Sequence, residues 1–481
     1  MTTLVEKRAR IDDAGSTPGR VQLNRGYFDE QFISKFRQAF TDQSLEHSLD
    51  ISVDKSSCCH GEITAQPFHT GRLHEIFSRE FLRSLKDELG QLTWHERSND
   101  LYSFFQTDDL ALNGNANIKA LRDYLSGEEF VGFMEQITGV QLTRGYLDLA
   151  AQRYKATNHL LCHDDDVQRG KLTRKIAYII YLTEEWAESD GGALGLFAAN
   201  DDGHPANVVT RMLPKFNSIG FFLTGQGSFH TVEEVYNGER WSVTGWFYGP
   251  VDDTEEAVEP TPLSSSVIAQ PQPLLESAAE LSKWINPDYL QADTQSRIQE
   301  AFLEQSSMEL CGFICPQAFS TIESELNDSM WVQAHERGPA HLRSYLELDP
   351  DAAPTLSKLL EFLRSKAFAE FLTASTSLEL SQVSQQVRRF DRGHYTLIHD
   401  QALEPLGLDV VLSLAPGKWD DGWGGTMHYI ADKDELLQIS PKANSLSLVM
   451  RDEGTLRFVK YLNHTAEASR QEVSMVFIEK E

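Results

Sequence analysis

Three groups of residues in this chain have the types and spacing for metal chemistry. His163-Asp164-Asp165 sets a histidine and a carboxylate two residues apart. On an extended strand residues i and i+2 share a face, so His163 and Asp165 can reach one ion while Asp164 points away. His230, in Gly227-Ser-Phe-His230 after the apolar run Ile219 to Leu223, qualifies as a third ligand from a distant strand. Two imidazoles and one carboxylate on one side of a metal leave three positions open, the ligand set of non-haem Fe(II) oxygen chemistry. A His-x-Asp triplet alone says little. A turn histidine followed by a capping aspartate reads the same, and about one such triplet is expected by chance in a chain with 15 histidines. The third group changes the weight. Arg240-Trp241-Ser242 follows His230 closely, and a buried arginine offers the bidentate fork that the far end of a dicarboxylate co-substrate needs. Ser242, on the same strand face, adds a hydroxyl donor, and Tyr181 can supply another. Tyr154 is a further candidate to touch the co-substrate, and reads equally well as a core tyrosine. The ordered set is far more specific than its parts.

The elements that must position these residues are short strands. Between about 140 and 250 the texture is β-branched and aromatic runs split by Gly, Asn and Asp, such as Lys175-IAYIIYL-Thr183, Ser218-IGFFL-Thr224 and Arg240-WSVTGWF-Tyr248. This spacing predicts a double-sheet jelly roll rather than a parallel α/β sheet. Amphipathic helix precedes it: Arg79 to Leu89 sets Phe81, Leu82, Leu85 and Leu89 on one face.

Residues 252–273, acidic and rich in Pro and Ser without apolar period, read as a linker. It separates a domain over 25–251, preceded by a disordered tail over 1–24, from a second domain over 274–481. The halves echo each other in order. Trp94-His95-Glu96-Arg97 matches Ala334-His335-Glu336-Arg337, Glu129-Phe130 matches Ala367-Phe368, and Arg153-Tyr154 before His163-Asp164 matches Arg389-Phe390 before His399-Asp400. Trp186 with Gly191-Gly192 matches Trp419 with Gly424-Gly425, and Arg240 matches Arg470. The offset shrinks steadily, as deletions in a duplicated domain would make it. The second copy has lost its ligands: Gln401 stands at the position of Asp165, Lys460 near that of His230 unless an indel brings His464 there, and Phe390 at that of Tyr154. The fold expected is α+β and mainly β, two double-stranded β-helix domains with flanking helices, the first catalytic and the second a degenerate copy that binds or stabilises.

At 481 residues, 41% hydrophobic and 10% aromatic, the chain is a folded protein of more than one domain. No apolar run approaches the roughly 20 residues of a membrane-spanning helix, and the start reads as no secretory signal. Five scattered cysteines form no disulfide framework, and Cys311 with Cys315 lacks a second pair to complete a metal site. A net charge of −29 argues against direct binding to nucleic-acid phosphate and fits a basic protein partner, although solubility alone explains it as well. Lys7, Arg8 and Arg10 form a weak nuclear-import candidate.

At Asn99-Asp-Leu-Tyr-Ser-Phe-Phe-Gln-Thr-Asp-Asp-Leu110, Leu160-Leu-Cys-His-Asp-Asp165, Ser228-Phe-His230 and Gly245-Trp-Phe-Tyr-Gly-Pro250 the chain resembles the ribosomal-protein prolyl 3-hydroxylase family. That family comprises the 2-oxoglutarate and iron-dependent oxygenase domain-containing protein 1 and the fungal termination-and-polyadenylation type. The resemblance implies two double-stranded β-helix domains, only the first catalytic, and Fe(II), 2-oxoglutarate and O2 as cofactors with ascorbate as reductant. It implies C3 hydroxylation of a proline in the basic small-subunit ribosomal protein at the decoding centre, with an effect on translation accuracy or termination, in cytoplasm and nucleus. His163, Asp165 and His230 would hold iron, and Arg240 with Tyr181 the C5 carboxylate of 2-oxoglutarate. The second domain would recruit partners. The turn between His230 and Arg240 is slightly short against the family pattern, and the segment from Arg169 to Lys175 extended. The competing readings are an oxygenase acting on another protein and a non-catalytic scaffold with an oxygenase fold.

Overall fold

A computed structural model describes residues 21–480 except 22, 43, 46, 53–58, 202, 226, 252–268, 277–279, 329–330, 334–342, 345, 349–352, 399–403, 416 and 433. The chain divides into two compact units, Met1–Thr261 and Pro262–Glu481. Both are mixed α+β structures built on antiparallel sheets. Most of the tail expected over 1–24 lies outside the described residues, but Leu23 is buried and bridges Phe77, and Asn24 caps the turn Arg25–Phe28. The linker expected over 252–273 is likewise outside through 268. Its last two residues are not linker: Gln272 and Pro273 pair with Val383 and Gln382, so the sheet of the second unit takes them in.

The first unit begins with α1 (Glu30–Thr41), β1 (Leu49–Ile51), β2 (His60–Thr64), β3 (Thr70–His74), α2 (Arg79–Gly90), β4 (His95–Ser98) and β5 (Tyr102–Gln106). It continues through α3 (Ala116–Leu125), α4 (Glu128–Thr138), β6 (Ala150–Lys155), β7 (His159–His163), β8 (Gln168–Arg169) and β9 (Leu172–Tyr181). It ends with β10 (Leu194–Ala199), β11 (Pro205–Met212), β12 (Ser218–Leu223), β13 (His230–Val232) and β14 (Glu239–Pro250). The sheet runs β1-β2-β3-β12-β9-β14-β6-β5-β7-β13-β10-β11, with β4 on β5 and β8 on β9. Side chains alternate across a strand, and the two faces of β3, β9, β12 and β14 do different work. One face sends Leu73, Tyr178, Ile180, Phe221 and Val243 into a core with Phe32, Phe36, Leu82, Leu85, Phe130 and Met134 of the helices. The other sends Ala177, Ile179, Tyr181 and Phe222 against Leu194, Leu196 and Met212 of β10 and β11. Helix α2 buries Phe81, Leu82, Leu85 and Leu89 as its spacing predicts, with Ser78 accepting from the Phe81 N–H at its start.

In the second unit the main sheet runs Ser307–Cys311, Ser445–Arg451, Gly407–Ser413, Arg470–Glu479, Leu380–Phe390, Leu346–Leu348 and Trp331–Gln333, beside a three-stranded sheet of Asp434–Ile439, Met427–Ala431 and Leu456–Val459. Local devices of the first unit recur. The Glu88 carboxylate accepts from the N–H groups of Asn117 and Ile118 at the start of α3, and Glu325 from those of Thr355 and Leu356 at the start of the helix Pro354–Leu363. Trp186 Nε1 donates to the Gly191 carbonyl and Trp419 Nε1 to that of Gly424, each glycine in a left-handed conformation, φ 73° and 76°. Trp94 donates to the Leu89 carbonyl, and the indole that repeats this bond is Trp331, donating to Leu326. The partner expected for Trp94, Ala334, lies outside the described residues, as do His399 and Gln401. Arg240 stands opposite Tyr154 in the first sheet and Arg470 opposite Phe390 in the second.

Beside its apolar core the second unit buries a group of ion pairs. Glu472 accepts from Arg470 Nε at 2.7 Å and Arg388 Nε at 2.9 Å, all three residues buried. Burial works to raise the Glu472 carboxyl, but Arg470 and Arg388 outweigh it and bring it down to about 2. Removing one member of such a group leaves buried charge without a partner, which costs about 3–5 kcal/mol. Glu472→Ala should destabilise the second unit by that amount, read as an earlier denaturant transition, whereas Ser242→Ala in the first unit should shift stability by less than about 1 kcal/mol. Equal effects would show that Glu472 is not the counter-charge of the two arginines.

Candidate metal and co-substrate site

Strands β7 and β13 run antiparallel with His163 directly opposite His230, so both imidazoles project from one face, ring centroids 4.2 Å apart. Backbone carbonyls orient each ring. His163 Nδ1 lies 2.8 Å from the Leu161 oxygen and His230 Nδ1 2.9 Å from the Ser228 oxygen. A carbonyl only accepts, so each Nδ1 carries the proton and each Nε2 presents its lone pair to the shared centre.

Asp165 reaches that centre by a different route from the strand alternation expected. β7 ends at His163, and Asp165 has φ 62°, a left-handed conformation that Asp tolerates better than most residues. The carboxylate therefore swings in on a turn. Its oxygens lie 3.6 Å from His163 Nε2 and 3.3 Å from His230 Nε2, and the candidate ligand atoms of the three residues are all within 4.8 Å of one another. Trp246 Nε1 donates to Asp165 Oδ2 at 3.0 Å, and Arg174, its guanidinium 3.5 Å over the Trp246 ring, stands 3.7 Å from Oδ1. Ser228 Oγ donates to the Asp164 carbonyl, tying the two ligand segments together. Burial, then the neighbouring His230, pushes the His163 imidazole down to about 4. Burial works to raise the Asp165 carboxyl, but the neighbouring His163, His230 and Arg174 outweigh it and hold it below the usual carboxylate range. A neutral His163 and an ionised Asp165 are the forms that bind metal.

Strand β14 sets Arg240 opposite Tyr154 of β6 and Ser242 opposite Tyr181 of β9. Arg240 is 1% exposed, yet none of its three guanidinium nitrogens has a hydrogen-bond partner, and neither does the Ser242 or the Tyr181 hydroxyl. The guanidinium carbon lies 5.2 Å from the Tyr154 ring and 5.3 Å from the Tyr181 ring. The Tyr154 hydroxyl donates to Gln152, so this residue offers Arg240 its ring while its hydroxyl is already engaged. A buried cation with no counter-charge costs several kcal/mol. Its unused donors, with two unused hydroxyls beside them, form a cradle that a carboxylate would complete. The residues present thus fit both groups: a divalent iron at His163, Asp165 and His230, and the far carboxylate of 2-oxoglutarate at Arg240, Ser242 and Tyr181.

Four further residues belong to this neighbourhood and were not singled out from the sequence. Trp246 and Arg174 hold Asp165, and Ser228 orients His230. Arg72 of β3 is buried, with Nε and Nη2 unpartnered and its guanidinium 5.8 Å from the Tyr181 ring. It sits opposite Gly220 of β12, whose missing side chain opens the way across the sheet. Trp246 shares the face of Arg240 and Ser242 by strand alternation, a usable signal. For Arg72 and Arg174 none existed, since both act across pairings distant in sequence.

Counting from the repeated Trp-Gly-Gly turn, Leu196 of the first unit corresponds to Tyr429 of the second. Leu196 pairs with His230, and Tyr429 pairs with Arg457. Arg457 lies 2.8 Å from Glu404 and 3.0 Å from Asp409.

Residues 149–248 match the family described as 2OG-Fe(II) oxygenase superfamily, and residues 276–481 that described as oxoglutarate and iron-dependent oxygenase degradation C-term. Prolyl 3-hydroxylase OGFOD1 of Xenopus laevis is 34% identical, the alignment covering 83% of this chain and 84% of that protein. The protein of the same name from Mus musculus is 31% identical, covering 81% and 83%. Prolyl 3,4-dihydroxylase OGFOD1 of Ostreococcus tauri is 29% identical, covering 85% and 95%.

If Trp246 steadies the Asp165 carboxylate, Trp246→Phe keeps the ring and removes the donor. Affinity for Mn(II), titrated as a redox-inert stand-in for iron, should fall by about 10- to 100-fold. An unchanged dissociation constant would remove Trp246 from the supporting shell.

Proposed function

This chain belongs to the OGFOD1 prolyl 3-hydroxylase family of 2-oxoglutarate- and iron-dependent oxygenases, and on that premise we propose that its first unit hydroxylates C3 of a proline in a basic protein of the small ribosomal subunit. Its cofactors are Fe(II), 2-oxoglutarate and O2. The observation that carries the site assignment is Arg240, a buried cation without an anion, on the same inward sheet face as a two-histidine, one-carboxylate cluster.

In this reading His163 Nε2, Asp165 and His230 Nε2 hold the iron, and Arg240, Tyr181 and Ser242 hold the C5 carboxylate, with Arg72 as a second cation beside Tyr181. When bound, iron with O2 oxidises 2-oxoglutarate to succinate and CO2 and inserts the other oxygen atom of O2 into a C–H bond of the substrate. The chain's own part is placement. The fixed tautomers leave both Nε2 atoms free for metal, Trp246 and Arg174 hold Asp165 against rotation, and the ring of Tyr154 bounds Arg240 on one side. The apolar residues Ile179, Leu196 and Phe222 around the site exclude water, which strengthens the carboxylate–guanidinium contact.

The proline target is inferred from the relatives named prolyl 3-hydroxylase, and the basic ribosomal protein from the family resemblance and the net charge of −29, which favours encounter with a basic partner. Such a substrate places the reaction in cytoplasm or nucleus, with ascorbate keeping iron reduced. We infer that both units are jelly rolls derived from one duplicated domain. The support is the recurrence of the Glu88 and Glu325 helix caps, the Trp-Gly-Gly turns and the arginine register. The second copy is non-catalytic in this reading, because Glu472 already neutralises Arg470 and Arg457 puts a cation where a ligand histidine would be needed.

The full-length protein with Fe(II) and 2-oxoglutarate should release succinate with a proline-containing peptide of a small-subunit ribosomal protein and add one oxygen to that proline. Arg240→Lys should raise the 2-oxoglutarate requirement on the order of 10- to 100-fold, while Arg470→Lys leaves it unchanged. Equal effects at both arginines would overturn the division between the units, and succinate release with no proline modified would overturn the substrate.

A further inference from the structure

A second cluster in the first unit repeats the geometry of the iron ligands. His60 of β2 and His74 of β3 stand directly opposite on antiparallel strands, as His163 and His230 do, with ring centroids 4.9 Å apart against 4.2 Å. Glu62 lies two residues from His60 and so on the same face. Its Oε1 is 3.0 Å from the buried His74 Nε2. The candidate ligand atoms of His60, Glu62 and His74 are all within 4.8 Å of one another, and among the described residues only this trio and the iron cluster meet that condition. A fourth candidate ligand atom is close. Asp50 of β1, opposite Glu62, places Oδ1 3.1 Å from His60 Nε2.

We propose that His60, Glu62 and His74, with Asp50 as a fourth ligand, form a second metal site, selective for a borderline divalent ion of the zinc type. Two imidazoles with carboxylates suit Zn(II), Ni(II) or Cu(II), whereas Mg(II) and Ca(II) favour oxygen alone. The ligands come from three adjacent strands at one end of the sheet, where β1 has no further neighbour among the described residues, so a bound ion cross-links β1, β2 and β3. The site opens to solvent, since the side chains of His60 and Asp50 are 47% and 78% exposed. That exposure admits a metal in exchange with its surroundings. The competitor is Lys215, whose ammonium is 3.1 Å from Glu62 Oε1. Its side chain is half exposed, and an exposed pair of this kind is weak enough for a divalent ion to displace. None of its residues is one of the iron ligands, and its link to the co-substrate cradle is Glu62, which stands opposite Arg72 across the β2–β3 pair.

The test uses the full-length protein carrying Asp165→Ala, which disables the iron site. Titration with Zn(II) should show one bound equivalent and a higher melting temperature, and Co(II) should give the visible absorption of a four-coordinate ion. Adding His74→Ala should abolish the bound equivalent. Adding Glu62→Gln, which keeps the side chain's shape, should weaken it about tenfold or more and guards against His74→Ala merely unfolding the hairpin. No bound equivalent in the Asp165→Ala protein would overturn the proposal. So would an equivalent retained with both His74→Ala and Glu62→Gln. His74→Ala in the native protein should leave iron content and 2-oxoglutarate turnover unchanged.

Discussion

A charge taken out of water must meet an opposite charge, and the two units answer that demand in opposite ways. Each carries a buried arginine near the start of its last long strand, Arg240 and Arg470, opposite the matching residue of a neighbouring strand. Two positions on, the second unit has Glu472, and the arginine is satisfied within the protein. The first unit has Ser242, and the arginine is left with every donor unused. Since a lone buried charge is costly, the first unit carries a standing deficit that a bound dicarboxylate removes. A single change of side chain at one strand position separates a binding cradle from a structural ion pair.

The metal cluster depends on that arrangement being rigid. His163 and His230 are aimed by carbonyls of their own strands, so their tautomers follow from the backbone and not from the ion. Asp165 is aimed by side chains instead. It sits past the end of its strand in a left-handed turn, and Trp246 with Arg174 supplies the constraint that the backbone no longer gives. The donor Trp246 belongs to the same strand as Arg240 and Ser242. Strand β14 thus connects co-substrate cradle and metal cluster, which places the two ends of one small ligand at a fixed separation.

The hairpin of β2 and β3 extends the same logic away from the site. Arg72 reaches from β3 over Gly220 toward Tyr181, while His74 on the same strand face turns to His60 and Glu62. One short strand therefore serves two clusters, because every second residue shares a face and the sheet continues without a break from β1 to β6.

Much of this was legible from residue types and spacing. The ordered set His163, Asp165, His230, Arg240 and Ser242, the alternation along β14 and the helical face of α2 follow from periodicities of two and 3.6 residues that the chain carries locally. What sequence could not decide were relations between residues far apart along the chain. It placed Asp165 by strand alternation, where a turn carries it. It ended the linker two residues late, since pairing with Val383 and Gln382 is invisible locally. Arg72, Arg174 and the cluster of His60 with His74 stayed unread for the same reason. Local sequence fixes which face a side chain occupies, but which strand lies beside it, and in what register, is set only when the sheet closes and hydrogen bonds choose among pairings of similar local quality.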